Sequence, residues 1–133
     1  MKNILITGGA GYIGSHIVEL LLKNKKKIII ADNLSTGFKT LINKKAKFFN
    51  VNISDTKRLK KIIIDNNVDS IIHLAASLSI GLGEKKPKFY FSNNVLGTKS
   101  VLLATKQTLV KNFIFSSTAA VYKDGQSFVS EKS

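Results

Sequence analysis

Three glycines near the amino terminus, Gly8, Gly11 and Gly14, stand three residues apart, and Gly9-Ala10-Gly11-Tyr12-Ile13-Gly14 also fits G-x-G-x-x-G. They follow the apolar run Ile4-Leu5-Ile6 and precede an amphipathic stretch, so they read as a turn between a buried strand and a helix. Such a turn is built to hold a pyrophosphate. Gly8 permits the sharp turn, Gly11 lets backbone approach the anion, and Gly14 lets helix and strand pack closely. The helix opening near Tyr12 aims its unpaired N–H groups and positive dipole end at the phosphates. A carboxylate completes the pattern. Asp32 ends the second apolar run, 18 residues beyond Gly14, near the spacing at which an acid meets ribose hydroxyls. Its charge would repel a 2′-phosphate, so NAD is expected in preference to NADP. The alternative makes Asp32 only the opening of the turn Asp32-Asn33-Leu34-Ser35-Thr36-Gly37, bonding its own backbone. The mutual support of the glycine turn and Asp32 favours the cofactor role.

Further polar residues fall at the ends of later apolar runs, where ligands gather in open α/β sheets. Asn52 follows the third; it either bonds an adenine edge beside Ile53 or merely belongs to a polar loop before a helix N-cap. Ala75 and Ala76 follow the fourth and are small enough to let backbone approach a cofactor. His73 stands within that fourth run, so a satisfied core histidine is favoured over a general base. His16 has no evident partner and reads as structural. Asn93 and Asn94 interrupt an otherwise apolar helical segment, which suggests a bond to a loop or to the cofactor. Ser116, Ser117 and Thr118 close the fifth run, opposite the glycine turn, and are expected to present a functional hydroxyl to the crevice.

The elements that must position these residues alternate strand and helix. Strands are expected at 3–7, 27–31, 46–51, 70–74 and 112–116, mostly as continuous apolar runs buried on both faces. Helices are expected at 12–23, 56–66 and 88–107. In the first, Ile13, Ile17, Leu20 and Leu21 form the inward face; in the second, Leu59, Ile62 and Ile63 do so, with Asp55 as N-cap. Pro87 suits the first turn of the third. This alternation implies an α/β fold: a doubly wound parallel sheet of about five strands in three αβα layers, a Rossmann-type dinucleotide-binding domain.

The 133 residues suffice for one domain. There is no cysteine, which excludes disulfides, thiol nucleophiles and cysteine-based metal sites, and no metal is expected. The opening apolar run is too short for a signal peptide, and no run has membrane-spanning length, so a cytoplasmic location is expected. A net charge of +13 would ordinarily suggest nucleic acid or an anionic membrane surface. Arg58 is the only arginine, however, and the lysines are dispersed over turns and helix ends, so neither partner is expected.

Taken together, Thr7-Gly-Gly-Ala-Gly-Tyr-Ile-Gly14, Asp32-Asn-Leu-Ser-Thr-Gly37, His73-Leu-Ala-Ala76, Lys86-Pro87 with Tyr90-Phe-Ser-Asn-Asn-Val-Leu-Gly-Thr98, and Phe115-Ser-Ser-Thr-Ala-Ala-Val-Tyr122 span essentially the whole chain. In this order they resemble the extended short-chain dehydrogenase/reductase superfamily, and within it the UDP-glucose 4-epimerases of the NAD-dependent epimerase/dehydratase family. The resemblance implies that Tyr12 and Ile13 lie against the pyrophosphate, and that Asp32 and Asn33 hold the adenosine ribose beside Ser35, Thr36 and Gly37. It implies that Asn52 and Ile53 flank the adenine, that the segment from Leu74 through Ala75, Ala76 and Ser77 to Leu78 lines the cofactor, and that Asn93 and Ser116 contact it. Thr118 falls at the family's catalytic Ser or Thr. Two departures accompany the match: some members carry lysine at the position of Leu78, and many carry aspartate at that of Asn52.

A third departure concerns catalysis. The family's proton transfer uses a Tyr-x-x-x-Lys pair, but Tyr12, Tyr90 and Tyr122 are followed at the fourth place by His16, Asn94 and Gln126. The resemblance therefore implies an amino-terminal cofactor domain, residues 1–133, without the catalytic tyrosine helix or the carboxy-terminal substrate domain, inactive by itself. In the intact enzyme the implied activity is interconversion of UDP-glucose and UDP-galactose by transient oxidation at C4, with a UDP-sugar as substrate and a homodimer compatible with the full-length form. A nucleotide-sugar dehydratase, another sugar epimerase or a non-catalytic NAD-binding module shares most of these motifs.

Overall fold

The computed structural model describes residues 2–78, 80–118, 122, 129 and 130. The expected strands form one parallel sheet: β1 (Asn3–Thr7), β2 (Lys27–Asp32), β3 (Lys47–Asn50), β4 (Ser70–His73) and β5 (Asn112–Phe115), in the order β3-β2-β1-β4-β5. From β1 the chain winds outward through β2 to β3, then returns to place β4 on the other side of β1. The reversal leaves a crevice between the carboxyl ends of β1 and β4, where Thr7 and His73 stand in register.

The apolar strands β1, β2 and β4 are buried because both faces are covered, whereas the edge strands β3 and β5 are half-buried to exposed, contrary to the expectation of burial on both faces. Ile4, Ile6, Ile28 and Ile30 pack beneath α1 (Tyr12–Lys23), while Leu5, Ile29, Ala31 and Ile71 pack with the opposite layer. That layer contains α2 (Thr56–Asp65), which buries Leu59, Ile62 and Ile63 as expected. The Asp55 carboxylate caps it, accepting from the Arg58 N–H at 3.0 Å.

Helix α1 is rotated relative to the expected face. Gly14 and Val18 are its buried residues, whereas Ile13 and Leu20 are exposed. A Cβ at Gly14 would overlap the Gly8 carbonyl oxygen and lie 2.8 Å from the Gly9 Cα. The helix therefore turns its glycine edge to the strand, and the inward stripe runs through Val18 to Leu21 and Leu22.

Two short helices follow β4, α3 (Ile80–Lys85) and α4 (Pro87–Tyr90). The first was not expected, since Gly81 and Gly83 weaken its helical signal. Pro87 opens the second, as its fixed φ and missing N–H allow. The segment expected as one helix over 88–107 then continues through a π-helical turn, Phe91–Leu96, into α5 (Gly97–Ala104). No helix among the described residues is long and apolar enough to cross a membrane. Residues 119–121 of the fifth-strand motif, and Gln126, lie outside the described residues.

Candidate cofactor crevice

The glycine turn and the ends of β2 and β4 enclose a crevice with two adjoining chambers. The smaller, about 90 Å³, is lined by Asp32, Asn33, Ser35, Thr36, Gly37, Ile53 and Asn93 together with Gly8 and Gly11. The larger, about 990 Å³, is lined by Tyr12, Ile13, Gly14, Leu78, Ser116, Ser117 and Thr118 among others. Gly8, Gly11, Thr36, Leu74, Ala75 and Ala76 border both. Every residue singled out from the sequence for the cofactor, and Thr118, thus lines one chamber or the other, with one exception. Asn52 is exposed outside both linings, and its side-chain carbonyl accepts from the Ser54 N–H at 2.9 Å, so the structure gives it the loop role.

Local chemistry explains how the turn is held. Gly8 sits at φ +74°, a left-handed conformation, and a Cβ there would lie 2.8 Å from the Ala75 N. Its N–H donates to the Ala31 carbonyl at 3.0 Å, fastening the turn to β2. Gly11 caps α1 without any side-chain hydrogen bond, so the first-turn N–H groups face the crevice with no capping side chain.

Asp32 is almost fully buried and makes the turn bond weighed for it while bordering the crevice. One carboxylate oxygen accepts from the Leu34 N–H at 2.8 Å, shaping its own turn, and the other accepts from the Ala10 N–H at 3.0 Å, across to the glycine turn. Each oxygen has a further lone pair with which a ribose hydroxyl can bond.

His73 is 2% exposed and stacked on Phe115, its ring centroid 5.8 Å away. Both ring nitrogens are engaged: Nδ1 lies 2.6 Å from Thr7 Oγ1, and Nε2 lies 2.9 Å from Thr98 Oγ1. Burial pushes its pKa down to about 4, so the imidazole is neutral near pH 7. It is the satisfied core histidine expected, not a free base. His16, by contrast, is exposed and meets the Tyr12 ring edge-on at 4.9 Å.

Asn94 bonds a loop, as one of the two expectations had it. Its amide accepts from the Ser77 N–H at 2.8 Å and donates to the Ser77 carbonyl at 2.9 Å. Asn93 donates to Ser77 Oγ at 3.2 Å and also borders the small chamber. Lining residues that spacing did not suggest are Ala31, Val51, Thr98 and Phe115. Thr98 alone carried a signal, a hydroxyl four residues after Asn94 on a helix.

Comparison with known proteins agrees with this geometry. The NAD dependent epimerase/dehydratase family matches residues 4–133. A UDP-glucose 4-epimerase of Haemophilus influenzae is 42% identical over 128 residues, covering 91% of this chain and 38% of that protein. One of Klebsiella pneumoniae is 38% identical over 128 residues, covering 91% of this chain and 92% of that protein. Among solved structures, a UDP-glucose 4-epimerase from Brucella ovis in complex with NAD matches with a TM-score of 0.87 at 38% identity, over 92% of this chain and 37% of that one. The UDP-Glc/GlcNAc 4-epimerase of Campylobacter jejuni matches with a TM-score of 0.88 at 39% identity, over 98% of this chain and 42% of that one. The chain spans about 38% of the length of the Haemophilus influenzae relative. With its glycine turn, sheet order and crevice accounted for, the chain belongs to the NAD dependent epimerase/dehydratase family.

Proposed function

We propose that this chain is the NAD-binding part, residues 1–133, of a nucleotide-sugar epimerase that interconverts UDP-glucose and UDP-galactose. The observation that carries the reading is the continuity of the two chambers: a small polar one around Asp32 opens, past the glycine turn, into a wide one walled by Ser116, Ser117 and Thr118. On this reading the adenosine lies along the first, the pyrophosphate at the first turn of α1, and the nicotinamide and sugar in the second. NAD, when bound, supplies a hydride acceptor and donor for C4 of the hexose. The chain's own residues bind and orient. Asp32 and Asn33 hold the ribose, Ser35, Thr36 and Gly37 close over it, and Ile53 covers the adenine. Leu74, Ala75, Ala76 and Leu78 shape the wide chamber, and Thr118 bonds the sugar hydroxyl at the reacting carbon. A threonine hydroxyl is a poor base near neutrality, so removal of that hydroxyl proton falls to a group outside these residues. The positive net charge draws in the anionic UDP-sugar, and we assign the chain to the cytoplasm.

Calorimetric titration with NAD and NADP tests the cofactor assignment, with tighter NAD binding expected; equal or tighter NADP binding would overturn the role of Asp32. Assay of UDP-glucose and UDP-galactose interconversion, with the 133-residue polypeptide alone and mixed with the carboxy-terminal part of a full-length relative, tests the reaction. Turnover is expected only in the mixture. Turnover by the polypeptide alone would require another base, and NAD binding with no turnover in either arm would favour a non-catalytic binding module.

A further inference from the structure

Along the wall of the wide chamber runs a chain of polar groups, from buried Thr7 and His73 to half-buried Thr98, Asn94 and Ser77, whose direction can be worked out atom by atom.

The Thr98 hydroxyl donates to the Asn94 backbone carbonyl at 2.6 Å. A carbonyl can only accept, so the single hydroxyl hydrogen is spent there, and Thr98 Oγ1 must accept from His73 Nε2–H. A neutral imidazole protonated at Nε2 has a bare Nδ1, which accepts from the Thr7 hydroxyl. The hydrogen bonds thus run one way, from Thr7 on β1 through His73 on β4 to Thr98 on α5 and the Asn94 carbonyl. Asn94 stands in the π-helical turn, a local widening of the kind found at functional sites. Its side chain then grips Ser77 by both the N–H and the carbonyl. Ser77 lies in the segment 74–78, which has no regular structure and forms one wall of the wide chamber.

We propose that Thr98 and Asn94 are positioning residues, which through the chain Thr7–His73–Thr98–Asn94–Ser77 hold the segment 74–78 against the nicotinamide half of the cofactor. This rests on the dinucleotide reading above. The residues holding the adenosine half, Asp32 to Gly37, are outside the chain of bonds, and within the gripped segment Ser77 and Leu78 border the wide chamber alone, so the nicotinamide half should respond more strongly when that chain is cut.

The test uses the 133-residue chain with Thr98→Val, Thr98→Ser and Asn94→Ala. Thr98→Val keeps the shape but leaves Nε2–H without an acceptor and the Asn94 carbonyl without its hydroxyl donor. Calorimetry should show NAD binding weakened about tenfold by Thr98→Val and by Asn94→Ala, with binding of ADP, which lacks the nicotinamide and its ribose, changed less than twofold. Thr98→Ser should restore NAD binding. Amide hydrogen exchange at Ser77, measured without ligand, should accelerate in Thr98→Val and Asn94→Ala and return to the parent rate in Thr98→Ser. Nitrogen-15 shifts should report the Nε2–H tautomer of His73 in the parent chain. Unchanged Ser77 exchange in both disruptive variants, equal weakening of NAD and ADP, or an Nδ1–H tautomer in the parent would each overturn the proposal. Should the parent bind neither ligand, the dinucleotide reading fails by itself, and Ser77 exchange with the tautomer still decides the relay. Should Thr98→Val not fold, Asn94→Ala provides the same contrast with the His73–Thr98 bond intact.

Discussion

The Asp32 carboxylate and the Ala10 backbone N–H meet at 3.0 Å across the crevice, joining the end of β2 to the glycine turn. The residue expected to select the cofactor is therefore also a brace of the site that receives it. Asp32→Ala should leave the Ala10 and Leu34 N–H groups without their acceptor, at a cost of about 1–3 kcal/mol. Urea unfolding at neutral pH checks the stability, and calorimetry should show weaker NAD binding together with reduced discrimination against NADP. Unchanged stability would mean that water replaces the carboxylate at no cost.

Gly11 and Gly14 should fail differently. A Cβ at Gly11 meets only the Gly8 carbonyl oxygen, at 3.3 Å, so Gly11→Ala should fold with near-parent stability. Gly11→Val should still fold but lose NAD binding, because its branches occupy the space of the pyrophosphate. At Gly14 the added carbon overlaps backbone, which cannot yield as a side chain can. Gly14→Ala should cost more than about 3 kcal/mol. Thermal unfolding monitored by circular dichroism, paired with calorimetry, separates the two behaviours.

Gly97 lets α5 approach Ile53 beside the small chamber of the crevice. A Cβ there would stand 2.6 Å from Ile53 Cδ1 and 2.9 Å from Cγ1, so Gly97→Ala must push Ile53 out of place. Ile53 lines the small chamber, and ADP-ribose affinity should fall about tenfold, a loss of about 1.4 kcal/mol. Adding Ile53→Val removes the nearest clashing carbon and should recover part of the loss. A double-mutant cycle measured by calorimetry reads the coupling.

His73 makes the fold acid-sensitive. Its pKa is lowered from 6.5 to about 4 in the folded chain, by burial. The stability carried by the neutral ring is complete above pH 6.5 and is lost as pH falls toward 4, at about 1.4 kcal/mol per unit and about 3 kcal/mol in all. Urea unfolding at intervals between pH 7 and pH 4 should show that slope, and His73→Gln should flatten it. An equally steep slope in the variant would assign the acid sensitivity to carboxylates instead.

Much of this architecture was present in the order of residue types. Strands covered on both faces must be apolar at nearly every position, so Ile4 to Ile6 and Ile28 to Ala31 announce themselves without any partner in view. The glycine turn and Asp32 are equally legible, since a positive φ at Gly8 and a carboxylate at a strand end are local demands on single residues. Tertiary structure decided what depends on a neighbour distant in the chain. The rotation of α1 follows from the contact of Gly14 with the Gly8 carbonyl, and it turns Ile13 and Leu20 outward although their periodicity suits a core. Asn52 stands outside the crevice, its side-chain carbonyl accepting from the Ser54 N–H within its own loop. The proton on His73 is placed by Thr98, 25 residues further along, through a hydroxyl whose own hydrogen is committed to Asn94. Periodicity records which side of an element is apolar; only the packed fold determines which buried polar atoms come within reach of one another.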